Sequence, residues 1–238
     1  MLVIGNEILT GKVQEANVAA LATELFGLGV MLKRVIVCPD EPETIARDVN
    51  ELRARFDLVI TSGGVGPTHD DVTVPAIAAA FARPLLRDPS LEARIRAHFG
   101  ERTTDGHLRM AELPEGGELV LGAGTAWPLL RVENVWIFPG VPDIFKGRLL
   151  AFRERVGLGT PFHTRAIYTR ADEGDIAALL ERLEREHVGV TVGSYPRFGD
   201  PDYTVKVTFD GQDLEAVHAA LEACRSALDV ALIVRIDP

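Results

Sequence analysis

Short apolar runs alternate with segments of helical periodicity along the first quarter of the chain. Three runs are predicted to be strands, because they are aliphatic and are bounded by polar residues or glycine: Leu2–Ile4, Val35–Val37 and Leu58–Thr61. In the segments between them, around Val18–Phe26 and over Glu43–Phe56, apolar residues recur at the spacing of amphipathic helices. Since the strands are apolar on both faces, this βαβαβ order predicts a parallel sheet with right-handed crossovers.

The pattern continues less regularly as far as residue 156. Helices are predicted around Val74–Phe81 and Leu91–Phe99, and the polar residues that follow, through Arg109, are interpreted as an insertion that covers a pocket. Three strands and one helix then complete a first domain, residues 1–156: Leu119–Leu121, Pro128–Val132, Val135–Phe138 and a helix with Phe145, Leu149 and Phe152. The segment Gly157–Pro161 is predicted to be the linker.

In the remainder of the chain, residues 163–238, the predicted strands and helices follow a different order. Its order βαββαβ predicts a small ferredoxin-like α+β domain. The predicted strands are Thr164–Thr169, Val188–Tyr195, Tyr203–Phe209 and Val230–Arg235, and the predicted helices are Glu173–Glu186 and Asp213–Leu228.

A glycine-rich loop, Ser62–Thr73, joins the third strand to the next helix. The main-chain N–H groups of such a loop can close on an anion, and the helix N-terminus adds its positive dipole end. Asp70 and Asp71 close the same loop, and hard cations that bind phosphates prefer carboxylate oxygens. Because ligands of parallel sheets gather beyond the carboxyl ends of the strands, the turn Gly5–Glu7 is predicted to share this pocket.

Local structure offers a second interpretation of the same loop. Asp71 could serve only as a helix N-cap, and the glycines could merely permit positive φ. His69 could contact phosphate or be a solvated turn histidine. His107, Arg109 and Lys146 are candidates for positive charge above the pocket, although each residue type is common on protein surfaces.

Composition limits the partners. The net charge of −10 argues against a nucleic-acid partner, and the segment from Arg165 onward holds fourteen Asp and Glu against eight Lys and Arg. Cys38 and Cys224 are isolated and are interpreted as buried apolar residues without a disulfide or a zinc site. Since no signal peptide or membrane-spanning segment is recognisable, we expect a soluble cytoplasmic protein without a membrane partner.

Three ordered motifs carry a family resemblance. Ile4–Gly11, Gly63–Thr73 and Pro139–Pro142 together resemble the molybdopterin-binding-domain superfamily. Within it the chain is most similar to the N-terminal domain of the competence/damage-inducible protein A (CinA) family and to the equivalent domain of eukaryotic-type FAD synthases. Where CinA proteins usually carry Gly-Thr-Ala-Pro-Gly, this chain has Gly124–Pro128, whose Trp-Pro is similar to the FAD-synthase branch. The small second domain, with Gly193–Pro196, resembles the module that follows in such proteins.

The resemblance implies a fold and a choice of functions. The fold is a three-layer, parallel-sheet α/β domain like that of MogA and MoaB, followed by the ferredoxin-like domain. The implied activity is a metal-dependent nucleotide pyrophosphatase acting on ADP-ribose or FAD-like dinucleotides. The alternatives are a molybdopterin-binding protein of molybdenum cofactor metabolism and a non-catalytic nucleotide-binding regulatory module. A homo-oligomer, dimer or trimer, is implied. The amidase and nucleotidyl-transferase activities of longer relatives are not expected.

Site residues follow from the loop chemistry and the resemblance together. Asp70, Asp71 and Glu7 are the predicted catalytic residues, and the same three are predicted to bind Mg²⁺, Mn²⁺ or Co²⁺, with Glu7 either completing the metal shell or activating water. Molybdopterin is the alternative ligand. The predicted substrate-binding residues are Gly5, Asn6, Ser62, Gly63, Gly64, Gly66, Pro67, Thr68, Thr73, Gly124, Thr125, Pro139, Gly140 and Pro142.

Overall fold

Two apolar clusters divide the chain into two units in the computed structural model, which describes residues 1–157, 159–197, 199 and 201–237. The first unit comprises Met1–Leu25 and Met31–Gly157, and the second comprises Phe26–Val30 and Leu158–Pro238. Leu158 of the predicted linker and Pro238 at the predicted end of the second domain lie outside the described residues.

The first unit is built on a six-stranded sheet with the order β2-β1-β3-β8-β7-β6. Its four strands from β2 to β8 are parallel, which confirms the predicted parallel sheet. Strand β7 is antiparallel to β8, because the two form a tight hairpin in which Glu133 has a φ of 51°. Strand β6 pairs antiparallel with β7. The bounds are β1 Leu2–Ile4, β2 Ile36–Cys38, β3 Val59–Ser62, β6 Glu118–Val120, β7 Leu129–Val132 and β8 Val135–Phe138.

Helices cover both faces of this sheet. The helices of the unit are α1 Asn6–Leu9, α2 Asn17–Gly27, α3 Pro42–Arg55, α4 Thr73–Ala80, α5 Pro89–Phe99, α6 Asp105–Arg109 and α7 Pro142–Val156. On one face, apolar residues of α3 and α4 pack with alternate residues of the strands, Ile137 among them. On the other face, Trp136 and Phe138 contact Phe152 and Phe145 of α7. Since successive strand residues point to opposite faces, this arrangement is the predicted three-layer fold.

An insertion of residues 85–114 separates α4 from β6. Strand β4, Leu85–Arg87, pairs antiparallel with β5, Glu112–Pro114, and the two strands enclose α5, a 3₁₀ turn at Gly100–Arg102, and α6. The sequence predicted a helix and a polar tail here but not the strand pair. Leu91 and Ile95 of α5 are buried in the core of the unit, so the insertion is part of the folded domain.

Asp88 caps the insertion helix α5. Its Oδ1 accepts hydrogen bonds from Ser90 Oγ at 2.6 Å and from the Leu91 N–H at 2.9 Å, and these bonds hold the pKa of Asp88 below its ordinary value of 3.8. We expect Asp88→Ala to lower the free energy of unfolding by about 1 kcal/mol at neutral pH. Because the pKa is lowered in the folded state, this contribution is complete above pH 3.8 and is lost as the pH falls further.

The measurement compares thermal unfolding of the wild type and the variant at neutral pH and at about pH 3. The difference in midpoint is expected to shrink on acidification. Glu101→Ala removes an exposed carboxylate from the same insertion and is the matched control, with no shift expected at either pH. An equal loss from Glu101→Ala would contradict the capping role.

The second unit has a four-stranded antiparallel sheet with the order β10-β11-β9-β12 and two helices. The bounds are β9 His163–Thr169, α8 Glu173–Glu186, β10 Val190–Pro196, β11 Val205–Gly211, α9 Leu214–Ala227 and β12 Ile233–Asp237. This is the predicted βαββαβ order. Val230–Leu232, predicted to begin the last strand, is instead a 3₁₀ turn, because the Asp229 carboxylate accepts the Ala231 N–H at 2.9 Å.

The end of α2 and the turn after it, Phe26–Val30, cluster with the second unit. The Phe26 ring stacks on Phe162 with centroids 4.8 Å apart. The Gln212 side chain donates to the Thr160 carbonyl at 2.9 Å and to the Gly29 carbonyl at 3.3 Å. None of the described helices has the length and apolar composition that a membrane crossing requires.

Candidate functional site

The glycine loop after β3 is held in shape by backbone contacts. Gly63 has a φ of 108° and its N–H donates to the Phe138 carbonyl at 3.2 Å. Thr73, fully buried at the start of α4, donates its hydroxyl to the Gly63 carbonyl at 2.8 Å, and its N–H donates to the Gly64 carbonyl at 3.0 Å. A Cβ on Gly63 would collide with the Ile4 carbonyl oxygen. Glycine is therefore required by the close approach of β1.

Three consecutive N–H groups of this loop are left without a partner. Within the described residues, the N–H groups of Gly64, Val65 and Gly66 donate to no protein acceptor. The Gly63 N–H is committed to Phe138, so Gly63 shapes the loop and the next three residues present the amides. All four residues line one pocket. Such a run of free amides is a suitable site for an anionic group.

A buried asparagine that the sequence analysis did not predict joins two loops of the site. Asn17 Nδ2 donates to the Gly140 carbonyl at 2.7 Å and to Ser62 Oγ at 3.0 Å. Ser62 Oγ in turn donates to the Pro139 carbonyl at 3.4 Å. Asn17 is only 4% exposed, which fixes the turn after β8 beside the end of β3. Two of the three sequence motifs, Gly63–Thr73 and Pro139–Pro142, therefore meet.

The two adjacent carboxylates converge on one hydroxyl group. Asp70 Oδ1 and Asp71 Oδ2 each lie 2.5 Å from Thr68 Oγ1, and Asp71 Oδ2 also accepts the Thr68 N–H at 2.8 Å. The hydrogen bond from Thr68 lowers the pKa of Asp70 below its ordinary value. The N-cap position of α4 is Val72, without a side-chain cap. Asp71 is therefore turned back into the loop and does not cap the helix.

Glu7 lines the pocket from α1, the short helix that follows β1. Its carboxylate folds over Gly5, where a Cβ would lie 2.5 Å from Glu7 Oε1. The Asn6 N–H donates to Asp40 Oδ2 at 2.8 Å. Over the described ranges no three His, Cys, Asp or Glu side chains converge as a metal site, so Glu7 does not join Asp70 and Asp71 in a three-ligand cluster.

The pocket has a cavity volume of about 970 Å³ and belongs to the first unit. Many predicted residues line it: Glu7, Gly63, Gly64, Gly66, Pro67, Thr68, Asp71, Arg109, Pro139, Gly140 and Pro142. Others do not line it: Gly5, Asn6, Ser62, His69, Asp70, Thr73, His107, Gly124, Thr125 and Lys146. The predicted role of the insertion as a pocket wall agrees with this lining, which includes Leu91, Ile95, Phe99 and Met110.

Four residues predicted to bind substrate or to lie near it have other surroundings: three of them contact protein groups, and one is exposed to solvent. The Thr125 hydroxyl donates to the Gly122 carbonyl at 2.8 Å within its own turn. His107 stacks on Phe99 with centroids 3.9 Å apart, and its Nδ1 accepts the Thr104 N–H at 3.1 Å. The His69 side chain is 96% exposed. Arg109 Nη2 donates to the Pro67 carbonyl at 3.2 Å, which ties the insertion to the glycine loop.

Part of the pocket lining is aromatic and was not predicted as part of the site. His98 contacts Phe99 and Trp127 edge-on, with centroids 4.7 and 5.3 Å away. Arg148 of α7, half-buried, also lines the pocket, and burial lowers its pKa. The aromatic pattern alone indicated a helix core, and an arginine on a helix is typical of a solvated face. No local signal distinguished these residues.

Comparison with known proteins identifies the families of the two units. Residues 1–155 match the family described as "Probable molybdopterin binding domain". The chain belongs to the molybdopterin-binding domain family. Residues 161–237 match the family described as "FAD synthase, middle domain", so this member of the family carries a second recognised module. The sequence resemblance to the CinA and FAD-synthase branches is confirmed.

Three relatives illustrate the range of this molybdopterin-binding domain family. A protein of Archaeoglobus fulgidus is 33% identical over 226 residues, which are 95% of this chain and 96% of that protein. The "Probable FAD synthase" of Caenorhabditis elegans is 32% identical over 96% of this chain, which spans only 49% of that enzyme. The crystal structure of CinA, of unknown function, from Thermoplasma acidophilum has a TM-score of 0.61 and 30% identity, covering 66% of this chain and 95% of that one.

Proposed function

We propose that the first unit is a metal-dependent hydrolase of the diphosphate bond in ADP-ribose or FAD-like dinucleotides. The observation that carries this proposal is a pocket of about 970 Å³ whose lining combines three unbonded amides, the Asp71 carboxylate and aromatic side chains, with the Asp70 carboxylate joined to Asp71 through Thr68 just outside the lining. Ligand pockets have volumes of about 300–1,000 Å³, so a dinucleotide is within the range.

The lining of the pocket offers groups suited to both parts of a nucleotide. The N–H groups of Gly64, Val65 and Gly66 would donate to phosphate oxygens. Phe99 and Trp127 offer ring faces and edges to a planar base, since aromatic side chains favour such contacts. One relative, the "Probable FAD synthase" of C. elegans, is named for a dinucleotide, which supports this ligand class.

The donor set fits a divalent cation that shares its ligands with the substrate. Mg²⁺ is commonly held by one or two carboxylates together with phosphate oxygens, and Asp70 with Asp71 supplies two carboxylates. When bound, such an ion would neutralise charge on the diphosphate oxygens. Thr68 holds the two carboxylates toward each other. Glu7, which stands apart from them, is proposed to accept a proton from the attacking water.

Binding of molybdopterin is the second candidate function. The match of residues 1–155 to a molybdopterin-binding domain family favours it, because the same amides could hold the phosphate of a pterin. The homo-oligomeric state and the cytoplasmic location stay predictions, and the mass in solution would test the first.

The test incubates the purified chain with ADP-ribose, FAD or coenzyme A, each with Mg²⁺, Mn²⁺ or Co²⁺, and separates the products by chromatography: AMP from the first two substrates and adenosine 3′,5′-bisphosphate from coenzyme A. Metal-dependent AMP formation that EDTA abolishes is the expected result. No product from any substrate would overturn the proposed hydrolase. A thermal shift with a phosphorylated pterin, together with absent hydrolysis, would favour the second candidate. Stabilisation by dinucleotides without turnover would instead indicate a regulatory nucleotide-binding module.

A further inference from the structure

Arg148 is an arginine with an unusual environment. In the part of the chain that the structure describes, its guanidinium group makes no hydrogen bond or ion pair, and the residue is half-buried in the pocket wall. Over the same residues, the other arginines without such bonds, Arg102, Arg182 and Arg185, are exposed to solvent. A guanidinium group carries five N–H donors and stays charged at neutral pH. Removing it from water without a partner costs free energy.

Of the charged groups that share the pocket with Arg148, Glu7 forms no ion pair with it, and the others are engaged elsewhere. Glu112 pairs with Arg87 at 3.1 Å, and Asp71 accepts two hydrogen bonds from Thr68. Arg109 donates to the Pro67 carbonyl. Desolvation is the cause of the lowered Arg148 pKa, and no neighbouring carboxylate opposes it. Arg148 is therefore a cation with free donors in a cavity whose other charges already have a function or a partner.

Arg148 and the glycine loop reach the pocket from different elements of the first unit. Ile144 and Arg148, four residues apart, lie on the same side of the helix and both line the pocket. Pro142, at the start of α7, lines it beside Gly140. Six residues of helix place Arg148 about 9 Å further along the axis from Pro142. The pocket therefore offers two anion-binding positions, the amides of the loop and this guanidinium.

We propose that Arg148 binds the second phosphate of a diphosphate ligand whose first phosphate lies on the amides of Gly64, Val65 and Gly66, and that it thereby sets the preference for diphosphates over monophosphates. The planar fork of arginine matches phosphate oxygens in pairs. The inference rests on the proposed function in using the same pocket and ligand class, but it concerns binding and not hydrolysis.

The experiment measures calorimetric affinities of the full chain for ADP and AMP in EDTA, which prevents metal-dependent turnover. The wild type is expected to bind ADP more tightly than AMP. Arg148→Met is expected to weaken ADP binding by about 10- to 100-fold while changing AMP binding by less than about threefold. Arg148→Lys keeps the charge but loses the fork, so it is expected to recover part of the ADP affinity.

Lys146→Met is the matched control. It removes a cation two residues away on the same helix, from an exposed side chain that does not line the pocket, and it is expected to leave both affinities unchanged. Thermal unfolding supplies a second readout. Because Arg148→Met removes a half-buried charge without a partner, the ligand-free variant is expected to unfold at the same temperature as the wild type or a few degrees higher.

Four results would overturn the inference. The first is a wild type that binds ADP no more tightly than AMP. The second is an equal loss of both affinities in Arg148→Met, which would indicate a contact with a group that ADP and AMP share. The third is a lower unfolding temperature of that variant, which would indicate a structural role. The fourth is a change in the mass of the oligomer with unchanged affinities, which would place Arg148 at an interface between copies. If the chain failed to hydrolyse any dinucleotide, the proposed hydrolase would fall, but the ratio of ADP to AMP affinity would still test Arg148. Failure of the proposed function and failure of this inference are therefore distinguishable.

Discussion

Replacing Asp70 or Asp71 by asparagine is expected to slow AMP formation from ADP-ribose by about 100- to 1,000-fold at saturating metal. Each substitution removes one negative charge from the pair that meets at Thr68 Oγ1 while keeping the size of the side chain. A bound cation contributes several kcal/mol of charge stabilisation in the transition state, and each 1.36 kcal/mol corresponds to a factor of ten in rate. Initial rates at several metal concentrations measure the effect.

Asp143→Asn is the control for these two variants. Asp143 is an exposed carboxylate in the first turn of α7, beside the turn after β8, and it does not line the pocket. Its substitution is expected to leave the rate unchanged. Full turnover in both Asp70→Asn and Asp71→Asn would remove the carboxylate pair from the mechanism and would leave the free amides as the site of a binding protein.

Gly63→Ala is expected to lower the free energy of unfolding by about 3 kcal/mol or more. The new Cβ would collide with the carbonyl oxygen of Ile4, which is backbone in the central strand β1 and cannot turn away. The φ of 108° adds strain for any residue with a side chain. Urea denaturation followed by circular dichroism measures the loss.

Gly11→Ala separates the two causes. Gly11 has a φ of 70° and open space around it, so its substitution introduces the strain of a left-handed backbone without a collision. We expect a cost of about 1 kcal/mol. If Gly63→Ala proved no more costly than Gly11→Ala, the close approach of the loop to β1 would not determine the need for glycine.

The central strands could be predicted because each is a compact apolar run with a clear end. Leu2–Ile4 agrees with the structure residue for residue, and the third strand is displaced by only one position. The pairing of Leu85–Arg87 with Glu112–Pro114 was not predictable, since three-residue strands separated by two helices leave no local pattern. Val230–Leu232 has a strand-like composition, but capping by Asp229 decides its conformation.

In the candidate site, too, the features that depend on neighbouring residues could be predicted, and those that depend on residues far apart in the chain could not. The spacing of glycines and carboxylates in one loop was enough to single out the loop in which the described structure leaves three N–H groups without a protein acceptor. Which amides are free depends on the bond from Gly63 to Phe138, on the neighbouring strand. Asn17 acts on Gly140, which lies 123 residues later in the chain. Arg148 differs from a surface arginine only in its tertiary surroundings. Such contacts between distant residues have no counterpart in a single sequence.

The stacking of Phe26 on Phe162 has a practical consequence for dissecting the molecule. Because the turn Phe26–Val30 clusters with residues that follow position 157, a single cut between the two matched modules does not yield two intact halves. A fragment ending at Gly157 would retain Phe26 but lose the Phe162 ring that stacks on it. The newly exposed phenyl ring at the end of α2 would then promote aggregation. Separate production of the modules therefore calls for a polar replacement at Phe26 in the first fragment.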